Sequence, residues 1–529
     1  MIKLKGRLKS ISSIKLFLLL FVLCSILFIT WSMSQPIGSE PDEASNSIYA
    51  ASVVRGNIFL KYYSITPLPI WETKAPKWVS DLYNAALIDD GAFDTGFSQN
   101  PNNYIKPNSN QLVHTTTDLA VLPPFYYFAT GIPTLFNGGL PNLFAMRIIS
   151  SLMSGFYLAL SIWVILRYKM HPISYSAIFF SIFPEAYMMA SAVNPNGLEV
   201  IGTLCLTVLT AVIITENTSK MSVIKLWLIV AALLSLTKTL SPLWVLICAI
   251  YIVIGIGFKP AIKMIVAKEN RVYSVVTLLF ALSTFIWDLL WGRFPYPIVF
   301  YLTNNYRNYS FFQRLYISIT RFPLYLNTGF DKIRESSSNE MSIAWSCLMI
   351  IVLIIGLSVT NMRQRIIIIL SIALAIILPA IVEASQGAVL GEWWKGRYAD
   401  ALYVNTPILT LMFIGKQLKH FPPKNQLAKV LSKTKIVLPL TLLLVSLVFE
   451  FDSLFNSIKV YMRGIKGSNN IFVNTNTAWA TYPYGWQDVW LVSNLLVCIV
   501  AIYLLFKLFK SEKVNLMEIK HSNLNENII

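Results

Sequence analysis

Two adjacent carboxylates, Asp42 and Glu43, lie just beyond the first long apolar run of the chain. A carboxylate held at a membrane edge can take the proton from a sugar hydroxyl within hydrogen-bond reach. The same acids could instead complement the positive end of a helix. Ser39 and Asp42 have the S-x-x-D capping spacing, and Pro41 suits a first turn. On that helix Asp42, Asn46 and Tyr49 share a face at i, i+4 and i+7, a polar stripe expected to face a cavity.

Four further stretches carry residue types that could do chemistry. The run Ser191-Ala192-Val193-Asn194-Pro195-Asn196-Gly197 reads as an Asn-Pro turn between apolar segments, with Glu199 an ionisable group at membrane depth just beyond it. Lys238 stands between two apolar runs, where it either snorkels to the interface or holds a phosphate. The densest mixture of charge and aromatics is Glu392-Trp393-Trp394-Lys395-Gly396-Arg397-Tyr398-Ala399-Asp400. The arginine offers a planar fork of donors that grips phosphate at two points. The tryptophans suit either an interfacial belt or a stacking platform for sugar rings. His114 and Asp118 are expected as exposed loop residues. No cofactor is called for, and no histidine cluster marks a metal, although acidic side chains leave room for one divalent ion.

The elements that must position these groups are membrane spans. Of 529 residues, 55% are hydrophobic and only 13% charged, about half the charge of a soluble domain. The net charge of +17 comes largely from short loops between apolar runs, which is a topology signal and not a nucleic-acid surface. The five cysteines lie in or beside apolar runs without paired spacing, so neither a disulfide framework nor a zinc site is expected. Basic residues precede an apolar run that has no small-x-small cleavage site, so this first span is expected to be retained.

Spans are expected near 15–31, 141–166, 173–190, 198–215, 223–237, 242–258, 272–290, 341–358, 366–384, 400–415, 436–454 and 488–507. The segment Leu122-Pro123-Pro124-Phe125-Tyr126-Tyr127, running to Phe136, is read as a helix lying in the interface. Twelve spans place both termini in the cytoplasm, and the inner loops then hold most of the 43 Lys and Arg. Residues 1–415 form the expected catalytic module, with a first outer loop at 32–140 and a second at 291–340. Residues 416–529 add a pair of spans, an outer loop at 455–487 and a cytoplasmic tail. No nucleotide-binding motif is present, so chemistry on the outside must draw on a substrate available there.

The order of these motifs resembles the bacterial membrane-protein family known as domain of unknown function 2142. The shared elements are a basic first span, Pro41-Asp42-Glu43 at its outer end, a long outer loop, the Pro-Pro-aromatic-Tyr-Tyr segment, Val193-Asn194-Pro195, an isolated Lys238 and a late Gly396-Arg397-Tyr398. More distantly the chain is similar to the GT-C superfamily of polyprenyl-linked glycosyltransferases. That resemblance implies a catalytic acid in the first outer loop, matched by Asp42 with Glu43 beside it. It implies interfacial helices after the acid, matched at 123–136. It also implies a late basic residue on the donor phosphate, matched by Arg397 and helped by Lys238. The family pattern carries His where this chain has Asn46, Gln where it has Lys395, and Asp where it has Asn196.

The expectation is therefore an all-α polytopic membrane protein of GT-C-like fold in the cytoplasmic membrane. It would be an inverting glycosyltransferase using a polyprenyl-phosphate sugar to modify a surface polysaccharide such as O-antigen. Asp42 and Glu43 are the catalytic candidates; Arg397, Lys238 and Lys395 are candidates for the donor phosphate. Asn46, Tyr49, Tyr126, Asn194, Glu392, Trp394 and Tyr398 are candidates for substrate contact. A small flippase and a donor synthase are the expected accessory partners. A polysaccharide polymerase, or a flippase without covalent chemistry, stands as the alternative.

Overall fold

In lipid a backbone can satisfy its N–H and C=O groups only internally, so apolar runs of this length become helices. The computed structural model describes residues 13–35, 42–63, 70–82, 111–216, 221–291, 305–323, 338–390, 396–419, 436–463 and 487–526. Helix α1 (Ser13–Ser34) leads to α2 (Glu43–Val53). Strands β1 (Lys61–Tyr63) and β2 (Ile70–Pro76), the single turn α3 (Lys77–Ser80) and β3 (Leu112–Thr117) follow. Then come α4 (Phe125–Gly131), with a 3-10 turn at Ile132–Leu135, and α5 (Leu140–Arg167). Next are α6 (Ile173–Phe180), α7 (Pro184–Ser191), α8 (Pro195–Glu216), α9 (Met221–Ser235) and α10 (Ser241–Ile256). The remainder comprises α11 (Phe258–Val266), α12 (Arg271–Leu290), α13 (Phe311–Thr320), α14 (Ser338–Val359) and α15 (Met362–Leu390). It ends with α16 (Asp400–Tyr403), α17 (Asn405–Lys419), α18 (Val437–Arg463) and α19 (Gln487–Glu526).

Eight of the described helices are long and apolar enough to cross a membrane, which makes this a multi-pass membrane protein. They lie in α1, α5, α8, α12, α14, α15, α18 and α19. The other four expected spans take different forms. The range 173–190 is broken into α6 and α7, because Pro184 starts a new helix after the unwound Ile182-Phe183. The range 400–415 begins with the single turn α16, and α9 and α10 are shorter apolar helices. Helix α8 runs through the middle of the bundle, its apolar window wholly buried, whereas only 11% of that window in α12 is covered.

The segment between the first two long helices departs from an all-α expectation. It carries a three-stranded antiparallel sheet in the order β1-β2-β3, with Lys61 opposite Glu72 and the β2–β3 ladder running from Trp71–Thr117 to Pro76–Leu112. Aromatic and β-branched residues favour this pleat. The alternation in β2 buries Trp71, Thr73 and Ala75 and exposes Lys74. The buried side packs on α2: the hydroxyls of Thr73 and Ser52 are 2.6 Å apart, and the Thr117 hydroxyl donates to the Ser45 carbonyl at 3.1 Å. The sheet is thus the platform that holds α2 in place. Beside it, the expected interfacial segment forms α4 and its 3-10 extension, with Phe125, Phe128, Leu135 and Phe136 exposed.

Side-chain contacts sort the helix ends into two poles. At one, Arg147 near the start of α5 meets Glu43, and Lys238 between α9 and α10 meets Asn196 near the start of α8. At the other, Trp163 and Arg167 near the end of α5 bond Ser13, Tyr168 bonds Ser222, and Lys416 and Lys419 approach Glu216. This alternation matches the one expected from the sequence. The C-terminal pair joins the same bundle through a buried polar cluster. Glu450 of α18 accepts from Trp31 Nε1 at 2.5 Å and Asn494 Nδ2 at 2.8 Å, and Gln35 donates to Ser457 at 2.9 Å.

Candidate functional site

The functional candidates gather at the first of these poles. Asp42 is the residue before α2 and adopts the left-handed conformation, φ 64°. That conformation is unusual for a residue with a side chain. Its side chain makes no bond to the helix amides, and Ser39 and Pro41 of the expected cap lie outside the described residues. The carboxylate turns to Arg397 instead, with Oδ2 2.7 Å from Nη2. Its side chain is 38% exposed and that of Arg397 8%. This is an open carboxylate resting on a sheltered guanidinium.

Glu43 points the opposite way. Its oxygens accept from Arg147 Nε at 2.7 Å and Nη2 at 2.5 Å, in a fork-to-fork pair with both side chains wholly buried. Arg147 Nη1 also donates to the carbonyls of Ser32 at 3.1 Å and Gln35 at 2.8 Å. The Val193 amide donates to Glu43 at 3.3 Å. One ion pair therefore ties together the end of α1, the start of α2, α5 and the loop before α8. Glu43 anchors the carboxylate next to it; only Asp42 faces open space.

The expected polar stripe does not face a cavity. Asn46 accepts from the Tyr127 hydroxyl at 2.7 Å, and Tyr49 donates to the Leu122 carbonyl at 3.1 Å, with the two tyrosine rings 4.6 Å apart. Both residues are buried and fasten α2 to α4, because that face meets an aromatic helix and not water. Asn194 also turns inward. Its side-chain oxygen accepts from the Asn196 amide at 2.9 Å and from Asn196 Nδ2 at 2.8 Å, the local turn that starts α8. Gly197 has no room for a side chain, since a Cβ there would collide with the backbone of Met189 and Ala190.

Lys238 does not snorkel. It is buried, donates to Asn196 Oδ1 and lies 3.6 Å from Glu199. Glu199 in turn accepts from Ser241 and Trp244, both at 2.8 Å. Burial lowers the pKa of the Lys238 ammonium, with Glu199 opposing that shift and Arg397 adding to it. Burial acts on Arg397 in the same sense, yet Asp42 beside it raises its pKa above the ordinary value. Both cations lie over the Tyr398 ring, Lys238 Nζ at 5.0 Å and the Arg397 guanidinium carbon at 5.4 Å from its centroid. Among the described residues, Arg397 Nε is buried without a hydrogen-bond partner, as are both carboxylate oxygens of the wholly buried Asp400. Lys395, Glu392 and Trp394 lie outside the described residues.

Two expectations about the loop residues separate here. His114 is exposed on β3, 3.1 Å from Glu72. Asp118 belongs to the cluster: burial raises its pKa, a hydrogen bond with the Ser45 side chain opposes the shift, and the charge of Asp42 adds to it. Arg147 is the residue whose importance is least visible in a local motif. Its one signal is an ionisable side chain within an apolar helix, which in a membrane needs a partner.

Tyr126 is buried, its hydroxyl 3.0 Å from that of Ser150, and its ring lines a mainly apolar cleft of about 440 Å³. Phe125, Phe156, Leu198, Leu236 and Thr237 line the same cleft. Its walls are thus the helix ends next in sequence to Asn196 and Lys238.

A family described as "Predicted membrane protein (DUF2142)" matches residues 24–404. That range takes in the whole cluster, from Asp42 to Asp400, and stops before α18 and α19. No curated protein and no solved structure matches the chain.

Proposed function

We propose that this chain, which belongs to the DUF2142 family of predicted membrane proteins, is a membrane glycosyltransferase. It moves a sugar from a polyprenyl-phosphate donor to a surface polysaccharide on the outer face of the cytoplasmic membrane. The observation that carries this reading is the contact between Asp42 and Arg397. An accessible carboxylate sits 2.7 Å from a sheltered guanidinium, with Lys238 close by over the same tyrosine ring. Base and phosphate-binding groups for a displacement at an anomeric carbon are thus side by side at one pole of a membrane bundle.

In this mechanism the donor phosphate takes the fork of Arg397 and draws on the charge of Lys238. The cleft beside Tyr126 and Thr237 receives the start of its isoprenoid chain. When the phosphate claims Arg397, Asp42 is released from its ion pair. Asp42 then accepts the proton of an acceptor hydroxyl as that oxygen bonds to the anomeric carbon from the face opposite the phosphate. The bond between the anomeric carbon and the phosphate oxygen breaks, its electron pair leaving with polyprenyl phosphate, and the anomeric configuration inverts. Fixed cations aimed at the departing phosphate supply much of the rate enhancement in such a site. In this reading α6–α7, α9, α10 and α16–α17 cross the membrane together with the eight long helices, a twelve-span, GT-C-like arrangement with both termini in the cytoplasm.

Glu450, a buried carboxylate in a spanning helix, favours a second reading, a flippase for lipid-linked sugars. Mass spectrometry of surface glycans tests the transferase reading. Wild type, deletion and Asp42→Asn at matched protein level are compared. Loss of one sugar per repeat in both altered strains supports the transferase. Chains collapsed to a single repeat favour a polymerase. An Asp42→Asn strain with wild-type glycans, beside an altered deletion, rejects Asp42 as the base.

A further inference from the structure

Helix α11 is short, sharply set and turned outward. Gly257, at φ 95°, ends α10 and redirects the chain, a backbone conformation in which a side chain would be strained. At the other end, Asn270 Nδ2 and the Ser274 hydroxyl donate to the carbonyls of Met264 and Ile265 at 2.8 and 2.9 Å, fastening α11 to the start of α12. The helix is therefore held as a rigid piece at the pole opposite Asp42.

At about 100° per residue, Phe258, Ile262 and Val266 fall on one stripe of α11, and Lys259 and Lys263 fall on the adjoining one. Ala261 and Met264 lie on the far side of the wheel, where Ala261 is wholly buried against the bundle. Around its axis the helix presents in turn a protein-facing arc, an apolar arc and a cationic arc. The apolar arc is open: Phe258 is 67%, Ile262 41% and Val266 55% exposed. Lys259, Lys263 and Lys268 are exposed, and among the described residues none of them has a carboxylate partner. Arg271 and Arg363 are exposed nearby, the latter 3.5 Å from the Gly255 carbonyl, while Glu269 is the adjacent acid.

We infer that α11 is a binding site for anionic phospholipid, with the apolar stripe among the acyl chains and Lys259 and Lys263 on the headgroup phosphates. The chain spans a membrane, so an apolar stripe at a helix pole meets lipid, and the neighbouring cations select its charge. The site is independent of the transferase reading, since it lies at the other pole and shares no residue with it.

The test uses the full-length protein in micelles containing equal phosphatidylglycerol and phosphatidylcholine, with retained lipids counted by native mass spectrometry. Wild type is expected to retain phosphatidylglycerol preferentially. Lys259→Gln/Lys263→Gln should weaken phosphatidylglycerol at least about tenfold and leave phosphatidylcholine unchanged, since each lysine at an anionic surface is worth about fivefold in affinity. A control pair at the other pole, Lys61→Gln/Lys74→Gln, should leave the preference intact. Equal retention of both lipids by wild type overturns the inference. So does an undiminished preference in the α11 variant, or an equal loss in the control pair. A dimer that carries no phosphatidylglycerol would assign the stripe to a second copy of the chain and overturn it as well.

Discussion

Replacing Arg147 by methionine tests whether the buried pair with Glu43 holds the site together. The substitution keeps most of the apolar volume and removes the charge. Glu43 would then sit wholly buried against a partner that no longer donates, keeping only its weak bond from the Val193 amide and its other local contacts. The carbonyls of Ser32 and Gln35 would lose their donor as well. Breaking one side of a fully buried ion pair costs about 3–5 kcal/mol, and each buried carbonyl left unsatisfied adds about 1–3 kcal/mol where it cannot relax. A loss of at least about 3 kcal/mol is therefore expected. The assay is reversible unfolding by SDS in mixed micelles, followed by tryptophan fluorescence. The double variant Glu43→Leu/Arg147→Met removes both charges and should recover most of the loss, because an apolar replacement of a buried pair is often close to neutral. The cycle of single and double variants then reports a coupling of at least about 2 kcal/mol, within the range found for residues in contact. Arg147→Met within about 1 kcal/mol of wild type, or a double variant no better than the singles, would refute the claim that this pair anchors Asp42.

Two further outcomes follow from the same geometry. Asp42→Asn should bind polyprenyl phosphate about twofold to fivefold more tightly than wild type, because it frees Arg397 from a half-open ion pair worth at most about 1 kcal/mol. Arg397→Gln should bind it much more weakly; equal affinity in all three proteins, measured in nanodiscs, would remove Arg397 from the phosphate site. Asp118→Asn should stabilise the protein at neutral pH. The Asp118 carboxyl titrates above its ordinary value in the fold, so folding favours the protonated form, and that stability is lost as pH rises through the raised pKa. The stability difference between variant and wild type should vanish at pH values below the ordinary carboxylate range and grow above it. A difference that does not change with pH would reject burial as the cause.

The sequence by itself determined the membrane character, the order of the apolar segments and the alternation of their ends between two poles. Those features follow from periodicity-free apolar length and from where Lys and Arg fall, which act locally along the chain. It also picked out Asp42, Lys238 and Arg397, because ionisable groups beside apolar runs are costly and stand out. What it could not decide was direction. Asp42 and Glu43 are chemically alike and adjacent, yet one faces open space and the other a buried guanidinium 104 positions further along the chain. Asn46, Tyr49 and Asn194 have polar side chains that suit a cavity equally well on paper; the packing of α2 against α4 turned the first two inward, and Asn194 is taken up by the local turn that starts α8. The sheet escaped a helix-based reading because its strands are short and lie in a polar segment whose pattern becomes meaningful only against α2. The partnership of Asp42 with Arg397 spans 355 positions, a separation that no local spacing rule reaches. Local rules choose which residues carry charge; the three-dimensional meeting of distant segments chooses which of those charges face one another.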